Sequence, residues 1–245
     1  MKKFVYGGLC LLATFSVVTI MSVTMMFIGI PERTLIPADC LVQSLKSDSS
    51  SERSLCYYSI SQYSKEQLGE QTIRAVRDHL TEAFHRNEIK ESELYAIAYL
   101  MANSKHILPD QLPKAILDAI ANCELDHTVR RLFIKTVANY DEAGRDALHV
   151  LSSLVCGTRC SSADLAYHAA VAIGNIGPPV SEDTIDALKC GARKGRLRLQ
   201  RACMMSLMSL GDLGYIALED LSRDKSENVS LLALGIMDKH KDKTN

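Results

Sequence analysis

Residues 162–177 read SADLAYHAAVAIGNIG, and their apolar side chains recur at the three- and four-residue steps of one helix face. Ser162 is a residue type that caps helix N-termini, and the glycines near the end of the stretch are typical of helix C-termini. The stretch therefore predicts one amphipathic α-helix that buries alanine and aliphatic side chains.

The same pattern recurs in three other segments of the chain, which indicates a repeat architecture. The four segments cover residues 126–139, 162–177, 195–212 and 226–237. Their corresponding inward positions are Val129, Leu165, Leu199 and Val229, then Phe133, Ala169, Cys203 and Ala233, then Val137, Ile173, Leu207 and Met237. The leading positions lie 36, 34 and 30 residues apart, which is the length of a helix pair.

Each of these segments is preceded by another amphipathic segment. The preceding segments cover residues 111–121, 142–154, 182–192 and 213–221. One such pair cannot bury its own apolar face, whereas stacked pairs share a continuous core. The repeats therefore predict an all-α domain, and further helical patterns at 65–86 and 92–103 extend this domain over residues 64–245.

Two of the four segments end like a known repeat. Residues 169–177, AAVAIGNIG, resemble the second-helix signature of HEAT repeats, in which small residues precede an aliphatic-Gly-x-aliphatic-Gly end. Residues 202–212 end similarly in LGD, and Val129-Arg130 resembles the Val-Arg pair near the start of that helix. The resemblance covers about residues 109–240 and implies a right-handed α-solenoid of stacked HEAT-like helix pairs.

The N-terminal segment has the composition of a membrane anchor. Lys2 and Lys3 precede an uncharged stretch at 4–30, which as a helix reaches about 40 Å and exceeds the roughly 30 Å hydrocarbon core. The apolar region of a cleaved signal peptide is usually shorter. We therefore expect a single transmembrane signal-anchor at 4–30, and the alternatives are a signal cleaved near Ala38 and a buried core helix.

The charges around this stretch predict its orientation. Basic residues are concentrated before it, so the positive-inside bias places residues 1–3 in the cytoplasm. The rest of the chain is then exported, and we expect a single-pass protein of the inner (cell) membrane with a periplasmic or extracellular domain.

Residues 31–63 are rich in serine and predict a flexible linker between the membrane and the repeat domain. Cys40 and Cys56 bracket its polar part. In an oxidising compartment these two cysteines are candidates for a disulfide bond that closes a loop.

A second pair of cysteines, Cys156 and Cys160, flanks a turn between two paired helices. One interpretation is a disulfide across this turn, and a bond from Cys160 to Cys123 is an alternative. Cys123, Cys156 and Cys190 recur at the ends of the first helices. Because neighbouring helices pack with axes about 8–10 Å apart, we expect direct bonds between these equivalent cysteines to be strained.

Motifs of enzyme chemistry are absent from the sequence. It contains no Gly-rich phosphate loop, no HExxH motif and no Gly-x-Ser-x-Gly elbow. We therefore predict no catalytic residue, no cofactor, no metal site and no small-molecule substrate. The formal net charge of −1 provides no overall field for nucleic acid, which we do not expect as a partner.

One cluster of basic residues is a candidate partner-binding surface. Its members are Arg193, Lys194, Arg196, Arg198 and Arg201. The cluster is a solvated helix end, a surface for an acidic protein partner, or a surface for lipid phosphates or nucleic acid. Its positive charge lies at a helix N-terminus, where the helix dipole is unfavourable for it.

Together these features predict a non-catalytic, membrane-tethered scaffold or adaptor for protein partners in an envelope or secretion-type complex. One alternative is a thiol-redox or metal-dependent enzyme that uses Cys156 and Cys160. The other is a secreted soluble effector that is released by signal cleavage.

Overall fold

Helices form the architecture of the chain. The structure, a computed structural model, describes residues 36–38, 40–86, 89–157 and 161–244, and these contain α-helices and 3-10 helices but no strand. By their contacts, residues 38–245 form one unit and residues 1–37 another, of which only Ile36 and Pro37 are described. The all-α prediction is therefore confirmed for the described residues.

The described residues contain twelve α-helices, which are α1 Leu41–Ser44, α2 Ser50–Gln62, α3 Lys65–Arg86, α4 Glu91–Asn103, α5 Lys114–Ala121, α6 His127–Ala138, α7 Leu148–Val155, α8 Ala163–Ile176, α9 Glu182–Lys194, α10 Leu197–Ser209, α11 Asp212–Ser222 and α12 Glu227–Thr244. Two 3-10 helices, Lys105–Ile107 and Asp141–Ala147, precede α5 and α7. The predicted pairs correspond to α5 with α6, α7 with α8, α9 with α10, and α11 with α12.

Side-chain caps fix several helix starts where the sequence places them. Asp126 accepts a hydrogen bond from the backbone N–H of Val129 at 3.1 Å, and Ser162 accepts one from Leu165 at 3.2 Å. Ser181 caps α9 in the same way. Each cap satisfies a donor that the helix itself leaves unpaired and contributes about 1 kcal/mol.

The helices pack in two rows. The even row consists of α2, α4, α6, α8, α10 and α12, in which each helix contacts the next. The odd row consists of α5, α7, α9 and α11, which also contact in sequence, and the members of each predicted pair contact each other.

The core lies where the repeat pattern predicts it. All twelve inward positions, from Val129 to Met237, are buried. Full burial of an aliphatic side chain stabilises a fold by about 1.5–3 kcal/mol, so these positions account for much of the packing between helices.

The predicted linker at 31–63 is wrong for residues 50–62. This segment forms α2, which buries Cys56, Tyr57 and Ile60 against the domain and packs on α4. Ser49 caps α2 by accepting from the backbone N–H of Glu52. The serines that suggested a spacer therefore include the helix cap and, at Ser51, an exposed helix position, and the folded unit begins well before residue 64.

The predicted membrane span at 4–30 lies outside the described residues, as do residues 1–3. Within the described part of the chain, no helix combines the length and the apolar composition needed to cross a bilayer. The anchor and the orientation derived from it remain predictions.

Candidate functional site

An apolar groove lies along the C-terminal part of the even row. Helices α8, α10 and α12 line it, and its volume is about 1190 Å³. Side chains of all three helices contribute to one continuous surface, so the groove exists only because these pairs stack side by side.

Large apolar side chains of the groove are exposed to solvent. Leu197, Met205 and Leu231 are 69%, 56% and 59% exposed, respectively, and all three line the groove. Contiguous exposed apolar surface of this kind on a folded domain marks an interaction site. The groove is therefore the candidate binding surface of the described residues.

Close helix packing forms the base of the groove. A Cβ at Gly174 would lie 2.7 Å from Ser206 Oγ, so α8 and α10 approach at a position that only glycine allows. The Ser206 hydroxyl donates to the Ala170 carbonyl at 2.7 Å, and the Ser209 hydroxyl donates to the Gly174 carbonyl at 3.0 Å. These bonds hold α8 and α10 in a fixed arrangement beneath the exposed side chains.

The charge on the groove has one sign. Arg198, Arg201 and Lys239 line it, and its described lining contains no Asp or Glu. The Arg198 guanidinium lies 3.9 Å from the centre of the Tyr167 ring, a cation–π contact that holds this side chain at the groove. Arg198 also lies 3.8 Å from Asp164, whereas no ion pair in the described residues neutralises Arg201 or Lys239.

The predicted basic cluster divides into separate parts. The Arg193 guanidinium donates to Asp220 on α11 at 3.1 Å and to Asp224, just after α11, at 2.7 Å. Arg198 and Arg201 face the groove. The remaining two members, Lys194 and Arg196, are exposed at the turn between α9 and α10.

The ion pairs around Arg193 change the acidity of their partners. Hydrogen bonding by Lys189 and then Arg193 lowers the pKa of Asp220, and hydrogen bonding by Arg193 lowers the pKa of Asp224. Arg193 therefore joins α9 to α11 within the odd row, and its charge is already compensated.

The structure keeps Cys40 and Cys56 as free thiols, so the predicted bond between them is not formed in it. Cys56 is buried and its thiol donates to the Leu41 carbonyl at 3.3 Å. Burial raises the pKa of Cys56, and likewise that of Cys203, to about 12. Both thiols are therefore unreactive at neutral pH.

The three cysteines at the ends of the first helices of the pairs are in two different states. Cys123 is disulfide-bonded, and Cys156 and Cys190 are free. Because Cys156 is a free thiol, the predicted bond between Cys156 and Cys160 is not formed in the structure. Cys160 lies outside the described residues, so the alternative bond between Cys123 and Cys160 remains a prediction. The thiol beside Cys156 in the described residues belongs to Cys190, at 2.7 Å between the sulfur atoms.

The histidines near acidic residues have structural contacts. His168 packs against the Tyr167 ring and lies 3.6 Å from Asp164, and burial lowers its pKa. His79 shares a 3.1 Å hydrogen bond with the Tyr57 hydroxyl. No group of three or more His, Cys, Asp or Glu side chains in the described residues is arranged to hold a metal ion.

The sequence interpretation missed the groove because it used only the inward positions of each helix. A second signal was present, since Leu197, Met205 and Leu231 are large apolar residues that fall outside those positions. No model of a known protein family matches the chain, and no curated protein matches it significantly. The geometry of the groove therefore carries the assignment of function.

Proposed function

We propose that this protein is a membrane-tethered scaffold or adaptor that binds a segment of a partner protein in the groove of α8, α10 and α12. One observation carries the proposal, namely exposed apolar side chains beside basic side chains in a groove whose described lining has no acidic residue.

The apolar surface supplies the affinity in this proposal. Leu197, Met205 and Leu231 retain much of their surface in water, and its removal by a partner is favourable by about 25 cal/mol per Å². Exposed aliphatic and thioether side chains that surround a concave surface fit the apolar face of an amphipathic segment.

The charge supplies the selectivity. Arg198, Arg201 and Lys239 favour acidic residues on the partner and repel basic segments. We therefore propose an occupant that carries apolar residues on one side and Asp or Glu next to them. This proposal replaces the predicted five-residue cluster with the two of its members that line the groove, together with Lys239.

We further propose that the helix pairs form a right-handed, HEAT-like α-solenoid. Three observations support this: the repeat spacing, the burial of all twelve inward positions, and the sequential contacts along both rows. In a solenoid each pair contacts only its neighbours, which leaves an extended face for binding.

The cellular setting belongs to the same proposal. A span at 4–30 with residues 1–3 inside would export the domain and place the groove on the outer side of the inner membrane, within an envelope or secretion-type complex. Two alternatives remain from the sequence: a secreted effector cleaved near Ala38, and a thiol or metal enzyme. The mass of the mature N-terminus distinguishes the anchored protein from the secreted effector.

The test is site-specific photo-cross-linking from the full-length chain in native membranes. A photoreactive residue at Met205 probes the groove, and one at Ile216, which is 61% exposed on α11, is the matched control. We expect a cross-link from Met205 alone, to a partner peptide that contains apolar and acidic residues. Equal cross-linking from Ile216, or capture of a basic peptide, would show that the proposal is wrong.

Charge reversal tests selectivity in the same experiment. Arg201→Glu with Lys239→Glu should abolish the cross-link from Met205. Arg223→Glu, an exposed change at the end of α11, should leave it intact. A cross-linked peptide from a second copy of this chain would identify a homo-oligomer and contradict the adaptor role.

A further inference from the structure

Two cysteines in consecutive helices of the odd row have their sulfur atoms side by side. Cys156 follows the last residue of α7, and Cys190 lies in the last turns of α9. Their Sγ atoms are 2.7 Å apart, and the Cys156 thiol donates to Cys190. A disulfide bond is about 2.05 Å long, and a small side-chain rotation is enough to bring the two sulfur atoms to that distance.

A glycine explains why the two sulfurs meet. A Cβ on Gly191, the residue after Cys190, would lie 2.7 Å from Cys203 Sγ and 2.8 Å from a methyl carbon of Val155. The absence of a side chain therefore allows α9 to approach the end of α7 and the face of α10 closely. From an ordinary interaxial distance we expected a bond between equivalent cysteines to be strained, whereas the sulfur atoms of this pair already lie close together.

Both cysteines lie at the protein surface. Cys156 is exposed and Cys190 is partly exposed, unlike the buried Cys56 and Cys203. Donation to Cys190 raises the pKa of the Cys156 thiol, and the nearby Lys194 acts in the opposite direction. Proximity and access together are the conditions for exchange with an external disulfide.

We propose that Cys156 and Cys190 form an oxidation site, at which an external disulfide converts the two thiols into a bond that links α7 to α9. This inference does not depend on the proposed function, because the bond forms whether or not a partner occupies the groove.

The chemistry is a thiol–disulfide exchange in two steps. The thiolate of one cysteine attacks an external disulfide, R–S–S–R, forms a mixed disulfide and releases the first RS⁻. The other cysteine thiolate then attacks the sulfur of the first cysteine and releases the second RS⁻. The protein loses two electrons and two protons, and the external disulfide is reduced to two thiols.

The position of the bond gives it a structural consequence. The closed loop from Cys156 to Cys190 contains all of α8, which lines the groove. The bond constrains the unfolded chain over this loop and therefore stabilises the folded arrangement of α7, α8 and α9.

The experiment is oxidation of the purified full-length chain with oxidised glutathione, followed by alkylation and peptide mapping without reduction. We expect one new cross-linked peptide that contains Cys156 and Cys190, with a mass lower by about 2 Da, from the loss of two hydrogens, than that of the two separate peptides. Cys190→Ser should instead leave a glutathione adduct on Cys156, because Cys190 is the thiol that lies beside Cys156 in the described residues and displaces the glutathione. Cys40→Ser, a change at an exposed free cysteine, should oxidise like the unaltered chain.

Thermal unfolding provides the second measurement. Under oxidising conditions the unaltered chain should melt several degrees above Cys156→Ser, and a reductant that cleaves the new bond should remove this difference. Two results would overturn the proposal: Cys156 and Cys190 both remaining open to alkylation after oxidation, or the cross-linked peptides joining Cys156 to cysteines other than Cys190. Because mapping uses the unaltered chain, it does not depend on how well the variants fold.

Discussion

The contact between α2 and α4 and the contact between α8 and α10 both join neighbours of the even row, but different side chains form them. Between α2 and α4, Arg53 pairs with the buried Glu93. Beside this pair, Tyr58 packs against Tyr95 and Tyr99, with ring centroids 6.3 and 5.5 Å away. Between α8 and α10, glycine and serine bring the two backbones together.

The difference explains where the groove forms. At α2 and α4, large aromatic side chains cover the apolar surface of their own interface. At α8 and α10, small residues form the interface and leave Leu197 and Met205 outside it, exposed to solvent. Small interface residues thus produce both the close contact of α8 with α10 and the exposed apolar face. At the contact of α2 with α4, the aromatic side chains themselves cover the interface.

The largest expected effect is on the α2–α4 contact. Glu93→Ala leaves the Arg53 guanidinium, which is 15% exposed, without its carboxylate partner, and should lower the free energy of unfolding by about 3 kcal/mol. Urea unfolding measures this loss. Asp110→Ala removes the exposed partner of Arg77 and should cost less than about 1 kcal/mol. Equal losses of unfolding free energy in the two variants would mean that the Arg53–Glu93 pair does not stabilise the contact of α2 with α4.

The next effect concerns the close approach of α8 and α10. Gly174→Ala places a Cβ 2.7 Å from Ser206 Oγ and 3.1 Å from Ser206 Cα, so the helices must separate at a cost of about 1–3 kcal/mol. Gly235→Ala in α12 is the matched control, since a Cβ there meets no atom within 4 Å. The control should stabilise the chain by about 0.5–1 kcal/mol through helix propensity. The contrast fails if both alanines shift the urea midpoint in the same direction.

A smaller effect on stability is expected at the groove surface. Leu231→Ser should change the free energy of unfolding by no more than about 0.5 kcal/mol, because the Leu231 side chain is exposed. The same substitution should weaken cross-linking from Met205. Leu218→Ser, at a fully buried position of α11, should instead cost several kcal/mol, about 2 or more. A large loss of stability in Leu231→Ser would show that this leucine supports the fold rather than a partner.

The smallest effect is the pH dependence of the α9–α11 contact. Lys189 and Arg193 lower the folded-state pKa values of Asp220 and Asp224. Their contribution to stability is therefore present above the unfolded pKa of about 3.9 and disappears as pH falls through the lower folded values. Urea midpoints from pH 7 down to pH 3 should fall less steeply in Asp220→Asn with Asp224→Asn than in the unaltered chain. Identical slopes would exclude a role for these carboxylates in acid unfolding.

The fold of the C-terminal pairs could be predicted from the sequence to within a few residues, except at the segment 142–154, which is a 3-10 helix up to Ala147 and an α-helix only from Leu148. The segment 162–177 became α8 at Ala163–Ile176, and the segment 126–139 became α6 at His127–Ala138. These helices combine strong apolar periodicity with a capping side chain, which are local properties of the chain. The segment 50–62 was misjudged because its serines concealed a periodic face that includes Cys56, Tyr57 and Ile60.

The candidate site was much less predictable. The basic cluster is continuous in sequence, yet Arg193 pairs with α11 while Arg198 and Arg201 line the groove. The direction of each side chain depends on its place around the helix and on which neighbour packs there. The short distance between the Cys156 and Cys190 sulfur atoms also depends on the close packing at Gly191, which residue spacing in the sequence does not predict.

The sequence by itself determined that the described chain is helical, where most of the C-terminal helices begin and end, and which side chains they bury. Local propensity, caps and apolar periodicity act within a few residues, so they can be recognised along a single chain. Only the tertiary structure decided which helices approach closely, which charges are compensated, and which apolar side chains remain outside the core. These outcomes depend on distances between segments far apart in the chain, where the presence or absence of one side chain, as at Gly174 or Gly191, sets the packing.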